Sequence, residues 1–174
     1  MDTALPPMAV GESKTDPPFK NDLGNQYPIA GNWYALVKAA AAIAASSNGK
    51  QVATALSSGV PTWAASLNTT RANQYVCGAI PSAHTAAIAI SAYFLVLIDG
   101  TDDLAQTGTA ASAITSGSIL IPGTASDLVR AATGVAAADI DEKVIAYCGF
   151  SCEANTGTAL LAYQTRYRAP FFAA

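Results

Sequence analysis

The residues of this chain that could do chemistry are few and scattered. His84 is the single histidine, in Pro81-Ser-Ala-His-Thr85, with Ser82 two positions before it. A nucleophile and its base are brought together by the fold rather than by sequence neighbourhood, and no Gly-x-Ser-x-Gly elbow is present. A lone histidine of this kind reads as a surface or turn residue. The carboxylates cluster at Asp102-Asp103 and at Asp139-Ile-Asp141-Glu142. The first follows Asp99-Gly100 and reads as a solvated loop tip. The second lacks the alternating Asp-x-Asp-x-Asp-Gly spacing of a calcium loop. Cys148-Gly-Phe-Ser-Cys152 invites a metal reading, but zinc takes its ligands in two groups and the only imidazole is His84. Buried free thiols fit Cys77, Cys148 and Cys152 better. The glycines are too widely spaced to cradle a phosphate. The chain is expected to be no enzyme, with no cofactor and no metal.

Binding chemistry is better supplied. Arg166-Tyr-Arg168-Ala-Pro-Phe171-Phe172 sets two arginines beside three aromatics, the residue types enriched at interface hot spots. The alternative is that Phe171 and Phe172 fold back onto their own core. Residues 1–30 hold five of the nine prolines (Pro6, Pro7, Pro17, Pro18 and Pro28) and six charges. Paired prolines favour extended polyproline II and cannot join a sheet interior. This stretch therefore reads as an extended arm, with Phe19 and Tyr27 as anchors for a partner that orders it; a disordered tail is the competing reading. Pro6, Pro7, Phe19, Tyr27, Arg166, Arg168, Phe171 and Phe172 are the candidate partner-binding residues.

The elements that position these groups read as strands and turns over residues 31–174, one domain. Ala86 to Ile98 is a fully buried strand or pair of strands ended by the turn dipeptide Asp99-Gly100. Ser118 to Ile121 is a short strand stopped by Pro122-Gly123. Val144 to Phe150 and Ala159 to Arg168 are two further strands, and Gln74 to Ile80 is a strand with a glycine bulge or close approach at Gly78. The expected class is all-β, a small barrel or sandwich with an extended N-terminal arm. Asn32 to Gly49 resists: Asn32 stands where a helix cap would, and Trp33, Leu36, Ala40 and Ile43 fall at helical spacing. Ala125 to Ala138 is ambiguous in the same way.

Composition narrows the function classes. Of 174 residues 51% are hydrophobic, and 38 of them are alanine. A mean hydropathy of +0.29 excludes a largely disordered chain. A net charge of −3 with nine basic residues argues against nucleic acid as a partner. The 13 residues from Ala86 to Ile98 are too short for a membrane span, so no membrane partner is expected. No basic and apolar leader opens the sequence, and the odd cysteine count speaks against a secreted disulfide framework. Synthesis in a reducing cytoplasm follows. Charged residues make up only 12%, about half the usual share, as expected of a surface largely covered by other protein.

The order of the motifs resembles that of the capsid decoration (cement) and related small virion proteins of tailed bacteriophages. Trp33-Tyr-Ala-Leu-Val-Lys-Ala-Ala-Ala-Ala-Ile-Ala-Ala followed by Gly49-Lys-Gln-Val52 is similar to the family's aromatic strand, alanine-rich segment and following strand. Val76-Cys-Gly-Ala-Ile80, Tyr93-Phe-Leu-Val-Leu-Ile-Asp-Gly-Thr-Asp-Asp103, Gly117-Ser-Ile-Leu120 and Val144-Ile-Ala-Tyr-Cys148 continue the run to Arg166–Arg168. The family's Gly-Tyr-Gly is absent, with Ala86-Ala87-Ile88 in its place, and the proline-rich arm is longer than the pattern needs. The resemblance implies a β-barrel-like domain in which Leu36 to Ile43 is strand and loop, against local helix propensity. It further implies a structural protein on the capsid exterior of a virion, stabilising the shell. The implied partners are the major capsid protein and copies of the chain itself, as a homo-trimer or another symmetric oligomer. A tail, neck or fibre-associated virion module is the alternative, and a host-surface binding module a more distant one.

Overall fold

The computed structural model describes residues 5–18, 20–58, 60–68, 75–106, 114–122, 128–130, 147–152, 154 and 160–168. Their eleven strands are β1 (Ser13–Lys14), β2 (Gln26–Ile29), β3 (Asn32–Ala39), β4 (Gln51–Ser57), β5 (Val60–Leu67), β6 (Tyr75–Ala79), β7 (Tyr93–Gln106), β8 (Ile119–Pro122), β9 (Leu128–Arg130), β10 (Tyr147–Ser151) and β11 (Leu160–Arg168). One short 3-10 turn, Ala45–Ser47, accompanies them. The class is all-β. No helix among the described residues is long and apolar enough to cross a membrane.

Five strands close on themselves. β3 pairs in parallel with β5, and β5–β4, β4–β6, β6–β7 and β7–β3 are antiparallel. Closure pairs the ring strands with one another on both sides, apart from the start of β7, whose second edge at Tyr93–Phe94 is taken by β1. The remaining strands extend from β7: its second half pairs with β11, followed by β10, β8 and β9. β7 thus serves two neighbourhoods, the barrel through Tyr93–Asp99 and the extension through Asp99–Gln106.

The helix-like segment is a strand. Asn32 is buried within β3, its Nδ2 donating to the Tyr34 hydroxyl at 3.3 Å. Both faces of β3 are apolar. Ala35, Val37 and Ala39 point into the barrel with Val52, Phe94 and Val96, while Tyr34 and Leu36 join Leu95 and Leu97 on the outer side. Apolar positions in succession look helical when counted at 3.6, yet also suit a strand buried on both sides.

The outer side is covered in part by the arm. Met8 and Tyr27 of the arm, together with Ile114 and Leu120, complete the outer cluster, with Val10, Leu23 and Ile29 packed beside them. β2 pairs with β3 through a hairpin whose turn residues, Ala30 and Gly31, both have positive φ (50° and 86°), as a type I′ turn requires. The boundary drawn at residue 30 falls inside this hairpin. β1 adds two residues to β7, Ser13 opposite Phe94 and Lys14 opposite Tyr93.

Three expectations need correction. Ala86 to Ile98 is neither a fully buried strand nor a pair of strands: residues 81–92 form loop and turn with several exposed positions, Ile88 makes a single bridge, and β7 begins at Tyr93. Nor do Asp99 and Gly100 turn the chain; they lie inside β7, opposite Arg166 and Thr165 of β11. Gly100 is there because the Asn32 side chain occupies the space a Cβ would fill. A turn dipeptide and a close approach demand the same residue, and only the neighbour distinguishes them. Asp102-Asp103 is no loop tip either, since both lie inside β7 and Asp103 stands opposite Tyr163. Ser118 to Ile121 is realised as β8, ending at Pro122. The stretch Ala125 to Ala138 is described only at β9, and Val144 to Ala146 lie outside the described residues.

Gly78 combines both devices foreseen for β6. The ladder to β4 shifts between Val52 and Ala53, skipping Cys77, and a Cβ at Gly78 would stand 2.5 Å from the Leu97 carbonyl oxygen. Gly78→Val should therefore cost about 2–4 kcal/mol by overpacking against backbone. Gly31→Ala, which meets nothing within 4 Å but keeps a positive φ, should cost only about 1 kcal/mol. Urea unfolding of the two variants checks this ordering.

Candidate interaction surface

Beyond the ends of β3 and β7 the two chains stay side by side. Ile43 and Ile88 exchange both backbone hydrogen bonds at 2.9 Å. They stand five residues beyond Lys38 and five before Tyr93, a pair in the β3–β7 ladder, so the antiparallel register carries through. Ala39 N–H to Ala92 O (2.8 Å) and Ser91 N–H to Ala39 O (2.9 Å) bridge the gap. Ile43 and Ile88 bury their side chains at the barrel end.

The residues flanking this bridge are exposed. Ala40, Ala41, Ala42, Ala44, Ala45 and Ser46 lie around Ile43, the last two in the 3-10 turn. Thr85, Ala86, Ala87, Ala89, Ile90 and Ser91 lie around Ile88, Ile90 at 63%. Every one of these exposed residues is uncharged. From residue 72 to residue 98 there is no Asp, Glu, Lys or Arg at all. Small, uncharged side chains around a hydrogen-bonded bridge make a surface that costs little to desolvate, because no charge is stripped of water.

The sequence carries a signal for this face in a repeated string. Ala41-Ala-Ile-Ala-Ala45 and Ala86-Ala-Ile-Ala-Ile90 are nearly the same string, and the central isoleucines are the residues that pair.

The candidate partner-binding residues are dispersed. Tyr27 is 1% exposed in the chain's own outer cluster. It anchors the arm to its own barrel and is not presented to a partner. Burial, with the Asp22 carboxylate adding to it, pushes its phenol above the ordinary value. Pro7 is buried and Pro6 half-buried. Arg166 and Arg168 lie on β11, in register with Asp99 of β7 and Tyr147 of β10. Phe19, Phe171 and Phe172 lie outside the described residues.

The groups singled out for chemistry stand apart from this face or are sealed. Among the described residues no three His, Cys, Asp or Glu cluster as metal ligands do. Cys77 is buried, and desolvation pushes its thiol up to about 12, so it is no nucleophile. Cys152 is exposed, correcting the expectation of a buried thiol there. His84 is a turn residue, its N–H donating to Pro81 O at 2.9 Å, but it is no surface residue: 2% of it is exposed. Its Nδ1 lies 3.1 Å from the Ala86 carbonyl, which can only accept, so Nδ1 carries the proton. The ring meets Phe94 edge-on, centroids 6.4 Å apart. Nε2 is enclosed without a hydrogen-bond partner.

Comparisons with known protein families, curated proteins and solved structures give no significant match.

Burial lowers the His84 pKa from its ordinary value, opposed by the backbone of Ala86 and Glu12, which favours the protonated ring. The folded state therefore prefers neutral histidine. Its contribution is fully present above the unfolded pKa near 6.5 and is lost as pH falls from there towards the lowered folded value. Urea midpoints at pH 7.5 and 5.0 should show a larger acid loss for the wild type than for His84→Gln. Equal losses would remove His84 from the acid response.

Proposed function

We propose that this chain is a structural protein of a tailed-phage particle, one that docks on the shell and reinforces it. The observation that carries this reading is the uncharged face formed by residues 40–46 and 85–91. An alanine and isoleucine surface at the end of a closed barrel suits close contact with another protein surface. Each apolar patch covered adds roughly 25 cal/mol per Å² of area removed from water. Many copies on one lattice sum such modest contacts into resistance to rupture. The motif order set out above agrees with this reading, as does the low charge.

The reading has a direct test in co-sedimentation of the purified protein with matching empty shells. Wild type should pellet with shells to a saturating ratio. Ile90→Lys and Ala42→Asp place a charge on an exposed site, so stability should change by no more than about 0.5 kcal/mol. Their shell affinity should fall about tenfold or more through the unpaired charge left in the contact. Wild type that stays in the supernatant, or variants that bind as wild type does, would sink the proposal.

A further inference from the structure

The arm occupies a slot that is complete before the arm arrives. At Tyr93–Phe94, β7 gives one edge to β3, through Lys38 and Val37. β6 reaches the opposite edge only at Leu97, so residues 93 and 94 are left with an open strand edge, and β1 takes it. Beside this edge Met8, 4% exposed, sits in the outer cluster with Leu36 and Leu95. The next turn of the arm lies against the 81–84 loop so closely that a Cβ at Gly11 would come within 2.7 Å of the Ala83 carbonyl oxygen.

The segment that fills the slot is self-contained. Its ion pair, Lys14 with Glu12 at 3.4 Å, is internal to it, as is the hydrogen bond from Glu12 N–H to Ala9 O at 3.2 Å. What joins it to the barrel is a two-residue ladder, the buried Pro7 and Met8 with their apolar neighbours, the Glu12 backbone beside the His84 ring, and a glycine-backbone contact. Thr15 and Asp16, immediately after β1, are exposed, whereas Pro17 is buried. A hinge between the segment and the rest of the chain would fall at 15–16, where the Asp16 ion pair with Lys20 at 2.6 Å is exposed and local to the hinge. Fully extended, residues 5–14 reach about 30 Å, enough to cross to an adjoining molecule.

We propose that this slot is an exchange site between copies: residues 5–14 of one copy seat on the β7 edge and outer face of a second. The closed and exchanged forms make the same contacts, so the balance between them turns on hinge strain and local concentration. Pro17 and Pro18 stiffen the return from β1 towards the Gly24 turn, which weighs against the closed form. The occupant is specified by the structure itself, since the segment is seen seated in the slot in cis. The inference goes beyond the shell reading and needs no shell. Its failure would leave that reading to its own co-sedimentation test.

The test uses full-length chains in a Cys148→Ser, Cys152→Ser background, which leaves only the buried Cys77. Lys14 and Tyr93 are cross-strand partners, the spacing at which cysteines join without backbone movement. A single chain carrying both Lys14→Cys and Tyr93→Cys should form the disulfide in cis, establishing that the variants fold and the geometry is right. Differently tagged Lys14→Cys and Tyr93→Cys chains are then mixed, refolded together from urea and oxidised. The expected result is a mixed 14–93 disulfide whose yield rises with concentration and exceeds that of a Lys20→Cys and Tyr93→Cys mixture by about tenfold at millimolar chain. A cis bond that forms readily beside a trans yield no higher than the Lys20 control overturns the proposal.

Discussion

The β3–β7 ladder is the constraint on which the rest depends. Both strands are apolar on both faces, with Val37, Phe94 and Val96 inward and Tyr34, Leu36, Leu95 and Leu97 outward. A ladder of that kind cannot be an outer wall in water: each large side chain left uncovered forgoes roughly 1.5–3 kcal/mol. The barrel buries one face by closing on it. The other needs a cover from elsewhere in the chain, and the arm supplies part of it through Met8, Tyr27 and their neighbours, with Ile114 and Leu120 beside them. The arm is therefore part of a second layer of the core, built from a segment whose prolines keep most of it out of the sheet interior.

The same ladder organises the surface. Because its register persists to Ile43 and Ile88, the two loops beyond it are joined as a ribbon, and the residues around the bridge are exposed. A loop rich in alanine would otherwise have no reason to hold one shape. Here the Ile43–Ile88 backbone bonds tie the two segments together, and the side chains around them are small. The low charge of the chain is thereby concentrated into a surface with a definite geometry, next to a barrel end sealed by Ile43, Ile80 and Ile88. The arm, the ribbon and His84 are linked through one place, since Ala83 touches Gly11 and the His84 ring lies between Ala86 and Phe94.

The all-β class was legible in the sequence, as was the special position of Gly78, because these follow from local chemistry: short apolar runs between turn residues, and a glycine where strands crowd. The ribbon was half legible. Its repeated string was visible, but that its two isoleucines face each other depends on residues 43 and 88 being brought together, which no local pattern encodes. The candidate anchors divide in the same way. Aromatic type marked Tyr27 as an anchor, and whether it anchors to a partner or to its own barrel depends on which surface lies beneath it.

What the sequence by itself determined is the inventory: short apolar runs, small side chains, little charge, and strand-forming stretches separated by glycine and proline. These are properties of residues and their immediate neighbours. Tertiary structure alone decided that Asn32–Ala39 is strand and not helix, that Asp99-Gly100 runs straight through β7, and that His84 is buried. The physical reason is common to all of them. Local preferences for helix, turn or exposure differ by about 1 kcal/mol per residue. Burying both faces of one ladder is worth many times that, so the ladder overrules them wherever they conflict.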